Sequence, residues 1–229
     1  MRYYCKIILN TFVIVLFLTE ISTAAKKFDL SNWHGNFSVV GKTPYDYFGY
    51  SICSGDINGD DIDDIIIGAY YADPMGRNGG GIVYGFFGNS TFSQDTFLNL
   101  SASNADFTIY GPSNNSQLGR SVAIGNFNND IYDDIIISAP YHSENGIQSR
   151  GAVYILNGSS TISGIYDMGA GSYDGIILGE KADDQIGFSL LSIDINNDSY
   201  DEILVGAPYA DYEYNLNCGK VYVFWGQAQ

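Results

Sequence analysis

The sequence predicts an all-β protein built from three copies of one four-stranded unit, and three observations support this fold class. Runs of four to eight residues rich in Ile, Val, Tyr and Phe are bounded by Gly, Pro, Asn and Asp, which is typical of strands and turns. No helical periodicity occurs beyond the N-terminal segment. An acidic motif recurs at offsets of 70 and 68 residues, and a fixed period of this kind indicates a repeat protein.

Each copy contains four predicted strands. The first strand ends in glycine and covers residues 37–41, 107–111 and 175–179. The second strand leads from a Phe/Leu/Ile-Gly pair into the acidic motif, and the third is the dense apolar run that follows it, at residues 65–67, 135–137 and 203–205. The fourth covers residues 81–88, 151–158 and 219–226. The three copies therefore lie at about residues 37–88, 107–158 and 175–226.

The N-terminus has the pattern of a secretory signal peptide. Arg2 and Lys6 precede an apolar run at residues 7–18, and small residues follow at 22–25. A transmembrane helix needs ~20 apolar residues, so this run is short for one, and a retained anchor is the less favoured interpretation. We predict a signal peptide at residues 1–24 and one secreted domain at residues 25–229. No later segment is apolar for long enough to span a membrane.

The charge balance excludes some partners. The chain has 26 acidic and 10 basic residues and a net charge of −16. Nucleic acids and anionic membranes attract basic surfaces, so neither is an expected partner. An acidic excess suits an extracellular protein that binds cations, although solubility alone would also explain it.

The acidic motifs place oxygen-bearing side chains at alternate positions. Ca²⁺ prefers six to eight oxygen ligands, several of them carboxylates. Side chains at loop positions one, three, five and nine, with the backbone carbonyl at position seven, would supply such a set. The predicted ligands are Asp56, Asn58, Asp60, Ile62 and Asp64 in loop one, Asn126, Asn128, Asp130, Tyr132 and Asp134 in loop two, and Asp194, Asn196, Asp198, Tyr200 and Glu202 in loop three.

We therefore expect up to three Ca²⁺ ions. Counting carboxylates predicts that loop one binds most tightly and loop two most weakly. An EF-hand is rejected because its loop needs Gly at position six and Glu at position twelve, where this chain has Asp61 and Ile67. Asx-rich turns that cap hairpins without metal are the remaining alternative. Because the pattern recurs at the same positions in all three copies, metal binding is favoured over such turns.

The repeated motif also resembles a known family. Phe48-Gly49, the acidic loop and Gly68-Ala69-Tyr70 resemble the FG-GAP repeat of integrin α-subunit propellers, and similar repeats occur in glycosylphosphatidylinositol-specific phospholipase D. Copies two and three depart mildly from the motif with Leu118, Ser138 and Ile186. The resemblance implies an extracellular β-propeller with calcium loops that brace the blades, on the face away from the ligand.

Integrin propellers have seven blades, so three FG-GAP blades imply a partial or open propeller. Closed propellers generally have 4–8 blades. The exposed edges of an open ring could pair with a second copy.

Cysteines and glycosylation sequons agree with secretion. Cys5 leaves with the signal peptide, and we favour unpaired Cys53 and Cys218, although a disulfide between them stays open. Candidate N-glycosylation sites are Asn36, Asn89, Asn99, Asn114 and Asn157. A sixth sequon, at Asn197, lies inside a predicted metal loop, where a glycan would interfere.

No catalytic motif is recognisable in the sequence. His34 and His142 are isolated, and neither a nucleophile elbow nor a zinc motif occurs. We predict a non-enzymatic module for cell adhesion or matrix binding, with an extracellular protein or glycan as ligand. Tyr-rich loops at residues 70–74, 141–142 and 209–212 are candidates for the contact, unless they pack between blades. The alternative is an accessory or carbohydrate-binding region of a secreted hydrolase resembling the phospholipase.

Overall fold

The computed structural model describes residues 8–9, 12–13, 37–88, 96–101 and 105–227. Strands β1 (Ile8–Leu9) and β2 (Phe12–Val13) pair with each other in a small N-terminal unit. The predicted signal peptide lies almost entirely outside the described residues. A second compact unit, Asn36–Gln229, contains all the repeats.

The second unit consists of short strands. They are β3 (Phe37–Val40), β4 (Ser51–Gly55), β5 (Asp64–Ala69), β6 (Ile82–Phe86), β7 (Thr96–Asn99), β8 (Phe107–Tyr110), β9 (Val122–Gly125), β10 (Asp134–Ala139), β11 (Ala152–Leu156), β12 (Gly164–Asp167), β13 (Gly175–Leu178), β14 (Ser189–Ile193), β15 (Glu202–Ala207) and β16 (Lys220–Phe224). Two 3₁₀ turns occur at Pro74–Gly76 and Met168–Ala170. Over the described ranges, no helix is long and apolar enough to cross a membrane.

The strands form three main sheets and one two-stranded pair. Sheet one has the order β12-β8-β6-β5-β4, sheet two β13-β11-β10-β9 and sheet three β14-β15-β16. Strand β3 pairs with β7. The prediction of an all-β fold with propeller-like blades is confirmed. The sheets have five, four and three strands in the described part of the chain, whereas four were predicted in each.

The predicted blade boundaries differ from the observed sheets by one strand. The first strand of each predicted copy was expected to join the three strands after it. Instead, β8 of copy two pairs antiparallel with β6 of copy one, and β13 of copy three pairs with β11 of copy two. The physical reason is that the fourth strand of a copy has a free edge of backbone N–H and C=O groups, which the next β-rich segment satisfies.

Apolar residues between neighbouring sheets form the core. Ile66 and Val83 of sheet one belong to the same buried cluster as Ile135 of sheet two. On the other face of sheet two, Ile136 packs in a cluster with Ile203 of sheet three. Adjacent residues of β10 thus lie in different clusters, so the continuous isoleucine run is buried on both faces.

Candidate functional site

The three acidic loops occupy equivalent places in the three sheets. Each loop joins the first strand of a sheet to the second, at residues 56–63, 126–133 and 194–201. Position four has a left-handed backbone in every loop, with φ of 76° at Gly59, 55° at Asn129 and 61° at Asn197. Glycine and asparagine tolerate this conformation better than other residues do. This preference explains why only these two residue types occupy position four.

The side chain at position one is the hydrogen-bonding hub of its loop. The Asp56 carboxylate accepts hydrogen bonds from the backbone amides of Gly59 (2.8 Å), Asp60 (3.0 Å) and Asp61 (2.8 Å). Asp194 accepts three equivalent bonds in loop three. Asn126 has only one acceptor oxygen, and it accepts a single amide bond, from Asp130 at 3.1 Å. Its Nδ2 also donates to the Asp130 carbonyl at 2.6 Å, so Asn126 makes two bonds within its loop where each aspartate makes three.

The side chains at positions three and five accept equivalent hydrogen bonds in all three loops. In loop one, Asn58 Oδ1 accepts from the Asp60 amide at 3.0 Å, and Asp60 Oδ1 accepts from the Ile62 amide at 3.0 Å. The same two bonds recur in loops two and three. The side chains at positions three and five therefore cap backbone amides of their own loop, and their binding of Ca²⁺ stays a prediction.

Position nine is a fully buried carboxylate at the base of each loop. Asp64, Asp134 and Glu202 all have no exposed surface. The Asp64 carboxylate accepts from the amides of Ile57 (3.0 Å) and Gly88 (2.9 Å). Burial raises the pKa of Asp64, and the nearby charge of Asp60 raises it further. Burial likewise raises the pKa of Asp134 to about 6. A nearby cation would relieve the cost of keeping these groups charged.

Glu202 differs from the two aspartates because one of its oxygens has no partner. Its Oε2 atom accepts from the Ile195 amide at 3.0 Å. The buried Oε1 atom has no hydrogen bond to any described part of the chain. A buried acceptor without a partner is destabilising, and a cation bound at this oxygen would remove that cost.

The donor set suits a hard cation such as Ca²⁺, although the loops are not arranged as a finished metal site. All predicted donors are oxygens, including the carbonyls of Ile62, Tyr132 and Tyr200, and Ca²⁺ prefers oxygen ligands. Within the described ranges, however, no three His, Cys, Asp or Glu side chains are grouped closely enough to hold a metal ion.

Position eight links neighbouring sheets rather than facing the loop interior. The Asp133 carboxylate accepts from the Asp56 amide at 2.9 Å, and the Asp133 amide donates to the Asp56 carbonyl at 2.9 Å. Asp201 makes the same two bonds to Asn126. Each link joins a loop to the loop of the preceding sheet. The carboxylate of Asp63, the equivalent residue of loop one, has no hydrogen-bond partner among the residues described.

An aromatic cluster lies at the opposite end of the sheets. The guanidinium of Arg120 lies 4.8 Å from the ring centre of Tyr50, 5.0 Å from that of Tyr70 and 4.8 Å from that of Phe188. Tyr50, Arg120 and Phe188 each follow the glycine that precedes the first strand of a sheet. This cluster was not predicted from the sequence, in which the shared position after that glycine was the available signal.

The predicted Tyr-rich loops divide into exposed and packed residues. Tyr71, Tyr209 and Tyr212 are exposed. Tyr70 is half-buried, and its ring stacks on that of Tyr47 with centres 5.3 Å apart. His142 is buried and contacts Tyr154 edge to face. Tyr70 and His142 therefore pack against other rings, whereas the exposed tyrosines stay candidates for a contact with a ligand.

The remaining predicted positions are mostly at the surface. Cys53 and Cys218 are both free thiols, and burial raises the pKa of Cys53 to about 12. Asn99 and Asn114 are exposed, and Asn157 is half-buried. Asn36, Asn89 and His34 lie outside the described residues.

Comparison with known proteins identifies the repeats. The FG-GAP repeat model matches residues 48–86, 118–156 and 186–224, together just over half of the chain. The chain is 28% identical over 193 residues to phosphatidylinositol-glycan-specific phospholipase D of Bos taurus, covering 84% of this chain and 21% of the relative. It is 28% identical to integrin alpha-PS2 of Drosophila melanogaster over 181 residues (76% of this chain, 12% of the relative).

A third relative, integrin alpha-8 of Mus musculus, is 32% identical over 176 residues, or 74% of this chain and 15% of the relative. The chain thus spans about a fifth or less of the length of these relatives. The three matched segments each run from the Gly-containing pair before the first strand of a sheet to the end of its third strand. The chain belongs to the FG-GAP repeat family.

Proposed function

We propose that this chain is a non-catalytic extracellular recognition module whose blades are braced by Ca²⁺. One observation carries the proposal. The same hydrogen-bonded array of loop oxygens recurs at one end of all three sheets, and exposed tyrosines lie at the other end of sheets one and three. Metal binding and ligand recognition would therefore use opposite ends of each blade.

The calcium ions would act structurally. The oxygens at positions one, three, five and nine, with the carbonyl at position seven, would hold each ion. Bound Ca²⁺ supplies positive charge beside buried carboxylates whose ionised form burial disfavours. An ion that binds only the folded chain adds its binding free energy to stability.

The exposed tyrosines are the proposed recognition surface. Tyrosine offers a rigid apolar ring with a hydroxyl group at its tip, which suits contact with a protein or glycan at low entropic cost. Tyr71, Tyr209 and Tyr212 all emerge from loops that follow the second strand of a sheet. A secreted chain would present this surface to extracellular partners.

A second candidate function is an accessory region of a secreted hydrolase. The similarity to phosphatidylinositol-glycan-specific phospholipase D favours it. Such a region would contact glycan or lipid-linked substrate rather than a matrix protein. Binding of the purified chain to immobilised glycans, with no binding to matrix proteins, would favour this second function.

Tyrosine-sensitised terbium luminescence tests the metal loops directly. Tb³⁺ replaces Ca²⁺ at oxygen sites, and its emission is sensitised by nearby tyrosine rings. Loops two and three have tyrosine at position seven, whereas loop one has Ile62. We expect Tyr132→Phe and Tyr200→Phe each to lower the emission while the backbone ligand is retained.

The matched controls are exposed tyrosines at the opposite end of the sheets. Tyr71→Phe should leave the terbium emission unchanged. Competing Ca²⁺ should remove the signal of the unaltered chain. If Tyr71→Phe lowers the emission as much as Tyr132→Phe does, or if Ca²⁺ fails to compete, the proposed loops are not the metal sites.

A further inference from the structure

One face of sheet three is uncovered, unlike the same face of the other two sheets. Val83, Val153 and Val221 occupy the same position, two residues after a glycine, in β6, β11 and β16. Val83 and Val153 are completely buried, but 71% of Val221 is exposed. Leu191, Ile193 and Val223 are also exposed on this sheet. The face has the apolar residues of a packed blade without the neighbour that would cover it.

The β3–β7 pair has the features of the outer half of a blade. In sheet one, β8 pairs antiparallel with β6 on one edge and parallel with β12 on the other. Strand β3 is the sequence equivalent of β8, and it pairs in parallel with β7 just as β8 pairs with β12. The second edge of β3 has no strand partner in the described part of the chain. Unpaired edges of this kind readily add another strand.

Sheet three and the β3–β7 pair together have the strand number and the register of a complete sheet. Strands β7 and β3 added to β16, β15 and β14 would reproduce the five-stranded order of sheet one. In the complete sheets, Val83 lies opposite Ile109, and Val153 lies opposite Ile177. The same register places Val39 opposite Val221, both on the face that packs against the next blade.

Sheet one also has two features that lack partners and that sheet three of another copy could satisfy. Ile52, on the first strand of sheet one, is 65% exposed on the side that a preceding blade would cover. Asp63 has no described partner, whereas Asp133 and Asp201 each bind the position-one amide of the preceding sheet. The corresponding amide, that of Asp194 in sheet three, has no acceptor within the described ranges. A neighbour that presents sheet three to sheet one would cover Ile52 and pair Asp63 with this amide.

We propose that a second copy of this chain completes sheet three. The β3–β7 pair of one copy adds to β16 of the other in the register of β8 on β6. In the dimer, each copy of sheet three would gain the β3–β7 pair of the other copy, which gives two composite blades. Each copy also contributes its own sheets one and two, so the ring has six blades. Closed propellers have 4–8 blades, and a dimer with both contacts made leaves no blade face without a neighbour. This inference goes beyond the proposed function and does not depend on Ca²⁺ or on a ligand.

Solution mass with a charged substitution is the first test. The purified chain should have twice the monomer mass across low to high micromolar concentrations. Val221→Asp places a charge in the proposed contact and should weaken the dimer roughly 30-fold or more, as loss of a central interface residue does. Ile131→Asp is the matched control, because Ile131 is also apolar and 76% exposed, and it lies in the loop between β9 and β10, outside β16 and the β3–β7 pair.

A disulfide between copies tests the register. Opposed residues of an antiparallel pair have Cβ atoms about 4.5–5.5 Å apart, close to the span of a disulfide. In a Cys218→Ser background, oxidised Val39→Cys/Val221→Cys should form covalent dimers, and neither single variant should form them in comparable yield. A monomer at every concentration, a dimer that survives Val221→Asp, or no bridging by the double variant would overturn the proposal. A ladder of larger species would overturn the closed two-copy ring.

Discussion

Replacing the buried carboxylate at position nine by its amide should lower the free energy of unfolding more in loop one than in loop three. In loop one, both Asp64 oxygens accept backbone amides, those of Gly88 and Ile57. Asp64→Asn turns one acceptor into a donor, so one buried amide loses its partner. Hydrogen bonds to charged groups contribute about 1.5–3 kcal/mol, and removing a charge that burial disfavours offsets part of the loss. We expect a net cost of ~1–3 kcal/mol in the free energy of unfolding.

In loop three, Glu202 has only one oxygen engaged, Oε2 with the Ile195 amide. Glu202→Gln can keep that bond with its carbonyl oxygen and place its NH₂ group where Oε1 has no partner. The expected cost in the absence of metal is therefore smaller than that of Asp64→Asn, because no hydrogen bond is removed.

Urea unfolding of both variants in excess chelator, monitored by tyrosine fluorescence and circular dichroism, measures the difference. Adding Ca²⁺ should then stabilise the unaltered chain more than Glu202→Gln, because the glutamine has lost a charged ligand. Equal costs for the two variants in chelator would refute the hydrogen-bonding account of position nine.

Three further predictions concern contacts away from position nine. Arg120→Ala removes cation–π contacts with three aromatic rings and should cost ~1–2 kcal/mol in urea unfolding, with Arg120→Lys intermediate. Burial lowers the pKa of His142, against the opposing charge of Glu144 and together with Arg150. The unfolded chain then binds this proton more readily, so the contribution of His142 to stability should fall as the pH drops below ~6.5, and the difference in unfolding free energy between the unaltered chain and His142→Gln should shrink or reverse over that range. Asp133→Ala should cost ~1–2 kcal/mol in thermal or urea unfolding by breaking the link between loops, whereas Asp133→Asn keeps an acceptor and should cost less. Equal unfolding free energies for Arg120→Ala and Arg120→Lys would contradict the cation–π contacts, and equal values for Asp133→Ala and Asp133→Asn would contradict the link between loops.

The repeat period and the strand chemistry were enough to predict the class of fold. Strands recur because β-branched and aromatic runs alternate with Gly, Asn and Asp turns, and those signals are local. The grouping of strands into sheets was not predictable in the same way. Whether residues 107–110 pair with the strand before or after them depends on which backbone edge is left free, and that is a property of the assembled sheet.

The loop alternation predicted which residues the three loops would use in equivalent ways. Asn58 and Asp60 each accept the backbone amide two residues further on, a local preference of these residue types, whereas their binding of Ca²⁺ stays a prediction. The amide bonds that occupy Asp64 were not predictable, since Gly88 comes from a distant strand end. Arg120 was missed for the same reason, because its three aromatic partners lie in three separate segments of the chain.

Calcium-dependent unfolding, with the number of bound ions measured by titration calorimetry, tests the central claim most directly. Binding at a hundredfold excess over the dissociation constant adds about 2.7 kcal/mol per site. We predict up to three bound ions, a marked rise in melting temperature over the chelated chain, and selective loss of one ion in each of Asp60→Asn, Asp130→Asn and Asp198→Asn. No bound Ca²⁺ and an unchanged melting temperature would contradict the account of the loops as metal sites that brace the blades.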